Sequence, residues 1–278
     1  MKLIESLLDY LWSLREAKGM LKAPDTLLPF VVFVAVLSVW LIFCTFFTIP
    51  PISSLMVPAI ERLSGERALH YPMHFILLPR TYNLFYLPFV ILVGFVLFGR
   101  AVFAMADYYV RKGRAVETRP PFVRAVPALI VIGLVYVIFA GAPNLAATSL
   151  AAKVNNVWVG RLLGFTGLLV GLVAQVLLVY SMLVVRREGC GPVRAIRRSI
   201  SIGLSRFWPT LFVVFTVYLA HWPIDALLVH PDKVVLKFRP ELVFFLLLGG
   251  IVLELVTSFL LLASTTALAL SRRDEGFD

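Results

Sequence analysis

The sequence predicts an all-α bundle of six membrane-spanning helices, and three observations carry this prediction. Of the 278 residues, 60% are hydrophobic and only 15% are charged, with a mean hydropathy of +0.91. A soluble globular domain has about 25% charged residues. The apolar residues form six long runs, and none alternates as the strands of a membrane β-barrel would. The excess apolar surface is therefore expected to face lipid.

Six apolar runs approach or exceed the roughly 20 residues that a helix needs to cross a bilayer. The predicted spans are 27–49, 84–105, 126–142, 159–185, 207–229 and 242–270. The third is short, and the last is long enough to tilt. We interpret residues 1–278 as a single membrane domain of three hairpins. A threefold repeat rests only on VRKG at 110–113 and VRREG at 185–189, short matches that a basic charge bias would also produce.

The basic residues between the predicted spans are distributed unevenly. Most of the 26 lysines and arginines fall in the N-terminal segment, in the second and fourth connections and in the C-terminal tail, on one side of a six-span bundle. Cytoplasmic connections carry such an excess. Both termini are therefore expected in the cytoplasm, with the protein in the plasma (inner) membrane. The net charge of +10 then belongs to these connections, and nucleic acid is not an expected partner.

Two segments beside the spans are predicted to form amphipathic interfacial helices. Segment 1–22 has one apolar face: Leu3, Ile4, Leu7, Leu8, Leu11 and Trp12. Segment 192–206 starts with Pro192, which suits the first helical position, and carries an apolar stripe: Val193, Ile196, Ile200 and Leu204. Arg194, Arg197 and Arg198 fall largely on the opposite side, and Arg206 ends the segment. These arginines are expected to contact anionic headgroups on the cytoplasmic side. A docking face for a cytoplasmic partner is the alternative.

Five ionisable side chains inside or at the end of the spans are candidates for a polar site: Arg100, Asp107, His221, Asp225 and Glu254. A charge within a bilayer is energetically unfavourable and suggests a functional site. We expect Arg100 to face the bundle and to pair with Glu254 or Asp107. Such a pair would either fix the helix register or join a polar pathway. His221 and Asp225 share one helical face and form either a satisfied pair or a proton or ligand site.

A glycine stripe marks the fourth predicted span: Gly160, Gly164, Gly167 and Gly171. Small residues let helices approach closely in lipid. The stripe predicts close packing, within the chain or with a partner, and a groove for a lipid tail is the alternative.

Metal, cofactor and enzyme signals are weak. His70 and His74 are weak candidate metal ligands, with the spacing of a helical pair. Pro72 disfavours a helical conformation at Tyr71, and no cysteine or carboxylate cluster joins the two histidines. No two span histidines lie at matching depths for haem. The sequence has no glycine-rich phosphate loop, Gly-x-Ser-x-Gly, HExxH or paired-cysteine motif. We therefore expect no metal, no cofactor and no enzyme activity.

One stretch resembles a known family. EGCGPVRAIRRSISIGLSRFWPTL, residues 188–211, is similar to the G-P-x-x-A-(I/L)-R-R-S…R-F-W segment in membrane domains fused to some glycerophosphodiester phosphodiesterases and in their stand-alone relatives. The matching residues are Gly191, Pro192, Ala195, Ile196, Arg197, Arg198, Ser199, Arg206, Phe207 and Trp208. The resemblance covers 191–208 and the six-span layout. It implies a helical accessory or scaffolding domain with no catalytic residues.

These features favour a non-catalytic integral membrane subunit that scaffolds or anchors a larger membrane complex or organises lipid. Its expected partners are membrane lipids with anionic headgroups and other membrane protein subunits. One alternative is a small transporter or permease subunit with a polar pathway. The other is a quinone- or haem-binding subunit of a respiratory complex.

Overall fold

The computed structural model describes residues 2–113, 121–151 and 157–271. Every regular element in these ranges is helical, which confirms the predicted all-α class. Some of the basic residues that set the predicted orientation lie outside the described ranges: Arg114, Arg119, Lys153, Arg272 and Arg273.

The α-helices, in chain order, are α1 (Lys2–Met20), α2 (Pro24–Thr45), α3 (Ile52–Ser64), α4 (Met73–Phe89), α5 (Phe95–Arg111), α6 (Phe122–Tyr136), α7 (Ala142–Ala151), α8 (Val157–Leu178), α9 (Ser181–Glu188), α10 (Pro192–Ser205), α11 (Phe207–Leu228), α12 (Pro231–Lys237) and α13 (Leu242–Ser271). Short segments of other helix types lie between some of them: a 3-10 turn at Glu66–Leu69 and π-helical turns at Val90–Gly94 and Val137–Gly141.

Six stretches of the described chain are long and apolar enough to cross a membrane, which confirms the predicted number. They are Pro24–Thr45, Met73–Arg111, Phe122–Gly141, Trp158–Glu188, Phe207–Leu228 and Leu242–Leu270. The second begins earlier than predicted because α4 continues through Pro79 and Pro88. A helix within a membrane protein can accommodate proline where its surroundings satisfy the freed backbone groups. The fourth extends into α9 across a turn at Val179 and Tyr180.

The described chain divides into two compact units. The first contains Met1–Pro29, Ile91–Val217 and Phe259–Asp278. The second contains Phe30–Val90 and Tyr218–Ser258. Helices α2, α11 and α13 contribute residues to both units.

In the first unit, α5 and α6 pack through two reciprocal glycine contacts. A Cβ atom on Gly99 would lie 2.5 Å from Cδ1 of Leu129, and one on Gly133 would lie 2.7 Å from Cγ of Phe95. In each helix the glycine and the large residue are four positions apart and therefore share a face. Each large side chain thus occupies the space that the opposing glycine leaves open, which brings the helices close together.

The basic helix α10 packs on α8 through its small residues. Its buried face consists of Ala195, Ser199, Ile202 and Gly203. The Ser199 hydroxyl donates a hydrogen bond to the carbonyl oxygen of Leu177 at 2.7 Å. A Cβ atom on Gly203 would lie 2.8 Å from the carbonyl oxygen of Val176. The apolar stripe singled out in the sequence is not this packing face, since Val193 and Leu204 are 80% and 62% exposed.

Helix α1 is attached to the first unit by polar and aromatic contacts. The hydroxyl groups of Tyr10 and Thr216 are hydrogen bonded at 2.9 Å, and the ring of Tyr10 lies 6.0 Å from that of Phe212. Tyr109 donates a hydrogen bond to the Glu16 carboxylate at 3.4 Å. The leucines of the predicted apolar face remain outward: Leu3, Leu7, Leu8 and Leu11. The helix is thus fixed while its apolar face stays uncovered.

The second unit contains a line of stacked aromatic rings between α2 and α4. Phe33 stacks on Phe89 at 5.6 Å, Phe89 on Phe85 at 5.4 Å, and Phe85 on Trp40 at 4.4 Å between ring centroids. Offset aromatic pairs of this kind contribute about 0.5–1.5 kcal/mol beyond their buried area. They hold α4 against α2 in this unit.

We expect Gly203→Ala to destabilise the detergent-solubilised protein by about 1–3 kcal/mol, because the added methyl group meets the α8 backbone and overpacks the contact. Gly164→Ala is the matched control, since a Cβ atom there has nothing within 4 Å. Both changes replace a glycine within a helix by alanine, so the gain in helix propensity is the same in the two variants. Thermal unfolding of the two variants measures the difference, and equal melting temperatures would contradict a close approach at Gly203.

Candidate functional site

A polar cluster in the second unit joins α11 to α13. The His221 cluster consists of His221, Glu254, Thr257 and Ser258. Nε2 of His221 lies 2.8 Å from the Thr257 hydroxyl oxygen and 3.7 Å from a carboxylate oxygen of Glu254. The Ser258 hydroxyl donates to the other carboxylate oxygen of Glu254 at 3.1 Å. An imidazole and a carboxylate are thus in contact within two predicted spans.

The hydrogen bonds of Thr257 determine which nitrogen of His221 carries a proton. The single hydroxyl proton of Thr257 is donated to the carbonyl oxygen of Leu253 at 2.8 Å. Thr257 must therefore accept a hydrogen bond from Nε2, which places a proton on that nitrogen. The cluster thus places the Nε2–H group of His221 3.7 Å from the Glu254 carboxylate.

The structure changes the pairings expected for the intramembrane charges. His221 contacts Glu254, and Asp225, one helical turn later on α11, is exposed and also interacts electrostatically with His221. Arg100 is also exposed and lies over the ring of Phe122 at 5.8 Å. The prediction that Arg100 faces the bundle and pairs with Glu254 or Asp107 is therefore wrong for the described residues. Rotation of α5 directs Arg100 towards α6.

The carboxylate of Asp107 instead binds Arg186, which the sequence had suggested only as a topology signal. Arg186 is 4% exposed, and its Nη2 lies 2.5 Å from a carboxylate oxygen of Asp107. Its guanidinium group also lies 5.3 Å from the ring of Phe103. Buried charges require such pairing because desolvation is unfavourable. The pair connects α5 to α9. In the sequence, the position of Arg186 directly after an apolar run was the feature that could have indicated a buried arginine.

A buried hydrogen bond fixes the turn between α8 and α9 to the first turn of α11. The hydroxyl oxygens of Tyr180 and Thr210 are 2.5 Å apart. Thr210 donates its own proton to the carbonyl oxygen of Arg206 at 2.8 Å, so Tyr180 is the donor. Tyr180 is only 1% exposed. This contact, which the sequence did not suggest, holds the junction between α10 and α11 in place.

Two arginines of α10 lie near one carboxylate, and Arg194 and Arg197 are exposed. Glu188 lies 3.6 Å from Nε of Arg194 and 3.7 Å from Nε of Arg198. The Arg194 side chain is 78% exposed, and Arg197 is also exposed. Arg206, at the end of α10, is half-buried. Exposed ion pairs stabilise weakly, so Arg194 is available to other anions.

The glycine stripe of α8 has a buried part and an open part. Gly167 and Gly171 are buried, and Gly160 is half-buried. A Cβ atom on Gly164 would meet nothing within 4 Å. The same helix exposes large apolar side chains at helical spacing: Trp158, Leu162, Phe165, Leu169 and Val173. Part of α8 therefore has an apolar surface with room for close approach.

The histidines considered as metal ligands lie among aromatic residues. The His74 ring is 3.9 Å from that of Phe75 and 5.8 Å from that of Phe47, and His70 is exposed. Within residues 2–113, 121–151 and 157–271, no group of three His, Cys, Asp or Glu side chains is placed to hold a metal ion.

Comparisons of the chain with protein-family models, with curated proteins and with solved structures found no match in any of the three.

We expect Asp107→Ala to destabilise the protein by about 3 kcal/mol, because it removes a carboxylate that neutralises the buried Arg186. The double variant Asp107→Leu with Arg186→Met should recover most of that loss, since an apolar pair needs no charge compensation. Arg111→Gln, at an exposed position of the same helix, is the control and should change stability by less than about 0.5 kcal/mol. Thermal unfolding in detergent measures all three. A double variant no more stable than Asp107→Ala would argue against the buried pair.

Proposed function

We propose that the protein is a non-catalytic integral membrane subunit that organises anionic lipid at one membrane surface and anchors other subunits there. The observation that carries this proposal is the placement of α10. Its small residues pack on α8, which leaves Arg194 and Arg197 together with Val193 and Leu204 exposed. A helix with these two outward surfaces suits a position among lipid headgroups.

The outward residues of α10 match the chemistry of an anionic membrane surface. Arg194 and Arg197 supply positive charge, and each basic residue near such a surface contributes about 1 kcal/mol. Val193 and Leu204 supply apolar area that can enter the boundary with the acyl chains. Trp208 follows at the start of α11 and is 49% exposed, which suits the depth of an aromatic belt.

The fixed position of α10 favours a role in organising lipid. The Ser199 hydrogen bond and the Gly203 contact hold the helix before any lipid binds. Binding to a pre-ordered surface avoids most of the entropy lost when a flexible segment folds on a membrane. By the distribution of basic residues, this surface is the cytoplasmic side of the plasma (inner) membrane. The resemblance of 191–208 to accessory membrane domains agrees with this role.

The open part of the α8 glycine stripe supports the anchoring half of the proposal. Gly164 has space for another helix to approach, and the exposed Phe165 and Leu169 lie beside it. Small residues at such a surface favour helix association in lipid. The expected partner is another membrane protein subunit. Native mass spectrometry after gentle extraction should then detect a reproducible protein partner.

Anionic lipid retention tests the role of α10. The full chain is purified from vesicles of equal phosphatidylcholine and phosphatidylglycerol, and bound lipid is counted by native mass spectrometry. Arg194→Gln with Arg197→Gln should lower phosphatidylglycerol retention at least tenfold, since two charges contribute about 2 kcal/mol. The control is Arg62→Gln with Arg67→Gln, two exposed arginines in α3 and the 3-10 turn that follows it. Equal retention by both double variants would refute the role of α10 in binding lipid.

A transporter or permease subunit is the second candidate, and the His221 cluster favours it. An imidazole–carboxylate pair within predicted spans has the groups of a proton relay. Proteoliposomes that contain a pH-sensitive dye test it directly. Under the main proposal, the wild-type protein carries no more proton flux than empty vesicles. Flux that is present, lost in Glu254→Gln and kept in the exposed control Glu241→Gln, with all proteins folded, would establish transport instead.

A further inference from the structure

A cavity of about 400 Å³ lies in the first unit where α1 meets the junction of α10 and α11. The junction cavity is lined by Glu5, Asp9 and Trp12 of α1 and by Ser205, Arg206 and Trp208 at the junction, with Leu268 of α13 also in its wall. Its volume falls in the range of small-molecule sites, about 300–1,000 Å³. It is large enough for a polar headgroup.

Contacts on both sides hold the walls of the junction cavity. Tyr10 fixes α1 to α11 through Thr216 and Phe212. On the other wall, the backbone N–H of Arg206 donates to the carbonyl oxygen of Ile202 at 3.0 Å, and the Arg206 carbonyl oxygen accepts from Thr210. The walls are therefore fixed without a ligand, and a preformed site needs little ordering when it binds.

The charges that line the cavity are opposed and specify the class of ligand. Arg206 contributes a guanidinium group, which suits phosphate. Glu5 and Asp9 contribute two carboxylates from α1, which suit an ammonium group. A headgroup with negative charge only would be repelled by these carboxylates. A headgroup that carries both a phosphate and an ammonium group matches the lining.

The aromatic and apolar surroundings favour a lipid over a soluble phosphate ester. Trp12 and Trp208 lie in the lining, and tryptophan attracts ammonium groups by cation–π interaction. The neighbouring Leu204 is 62% exposed, and Leu8 of α1 is 60% exposed. These side chains provide an apolar surface for acyl chains next to the polar cavity.

We propose that the junction cavity binds the headgroup of a zwitterionic aminophospholipid, with the phosphate at Arg206 and the ammonium group at Glu5 and Asp9. The inference rests on the proposed role in organising lipid and extends it to a second class of lipid. It uses residues other than Arg194 and Arg197, so the two proposals can fail separately.

The test measures lipid selectivity of the full chain by native mass spectrometry. The protein is equilibrated with equal amounts of phosphatidylethanolamine and phosphatidylglycerol in detergent. The ratio of the two lipids in the complex of protein with one bound lipid is then measured. The wild-type protein should retain phosphatidylethanolamine. Glu5→Gln with Asp9→Asn should shift the ratio towards phosphatidylglycerol about tenfold, equivalent to about 1.4 kcal/mol. Glu61→Gln with Glu66→Gln removes two exposed carboxylates in the second unit and should leave the ratio unchanged.

Two further measurements test the role of Arg206 and the need for acyl chains. Arg206→Gln should weaken retention of both lipids, and Arg206→Lys, which keeps the charge, should restore much of it even if the glutamine variant folds poorly. Soluble phosphoethanolamine should compete only weakly, because it lacks acyl chains. The proposal is overturned if phosphoethanolamine competes as well as the lipid, or if the carboxylate double variant keeps the wild-type ratio.

Discussion

The close approach of α10 to α8 at Gly203 is the contact on which the arrangement of the first unit depends. The backbone of α8 passes where any side chain at position 203 would have to go. Because this contact uses the small residues of α10, the arginines and the larger apolar residues are left on the other faces. Arg206 and the first turn of α11 follow directly after the end of α10. Tyr180 then locks that junction through Thr210.

Some ionisable side chains within the membrane-spanning stretches lie next to a partner on a neighbouring helix. Arg186 is almost fully buried, and its ion pair with Asp107 offsets part of the free energy of desolvating the guanidinium group. In the second unit, His221 and Glu254 lie in contact, and Thr257 and Ser258 are hydrogen bonded to them. Each pair connects two different helices. These pairs therefore stabilise helix positions whatever further chemistry the His221 cluster carries out.

Helix α1 has two roles that follow from its amphipathic sequence. Its polar side supplies Glu5 and Asp9 to the junction cavity and Tyr10 to the contact with α11. Its leucines remain exposed. A helix anchored in this way extends the protein surface that can meet lipid headgroups, next to the surface formed by α10. Both proposed lipid sites therefore depend on helices outside the six spans.

The sequence by itself determined the helical class, the number of spans and the start of α10 at Pro192, because these depend on local properties. A run of apolar residues must satisfy its backbone hydrogen bonds internally in lipid, which a helix does regardless of its neighbours. Only the tertiary structure decided that Asp107 pairs with Arg186 and not with Arg100, and that Glu254 of α13 contacts His221 of α11. Those contacts depend on how each helix is rotated and how closely it approaches the next, and residues such as Gly203, Gly99 and Gly133 control that distance. The junction cavity likewise needs α1, α11 and α13 together, which no local pattern in the sequence specifies.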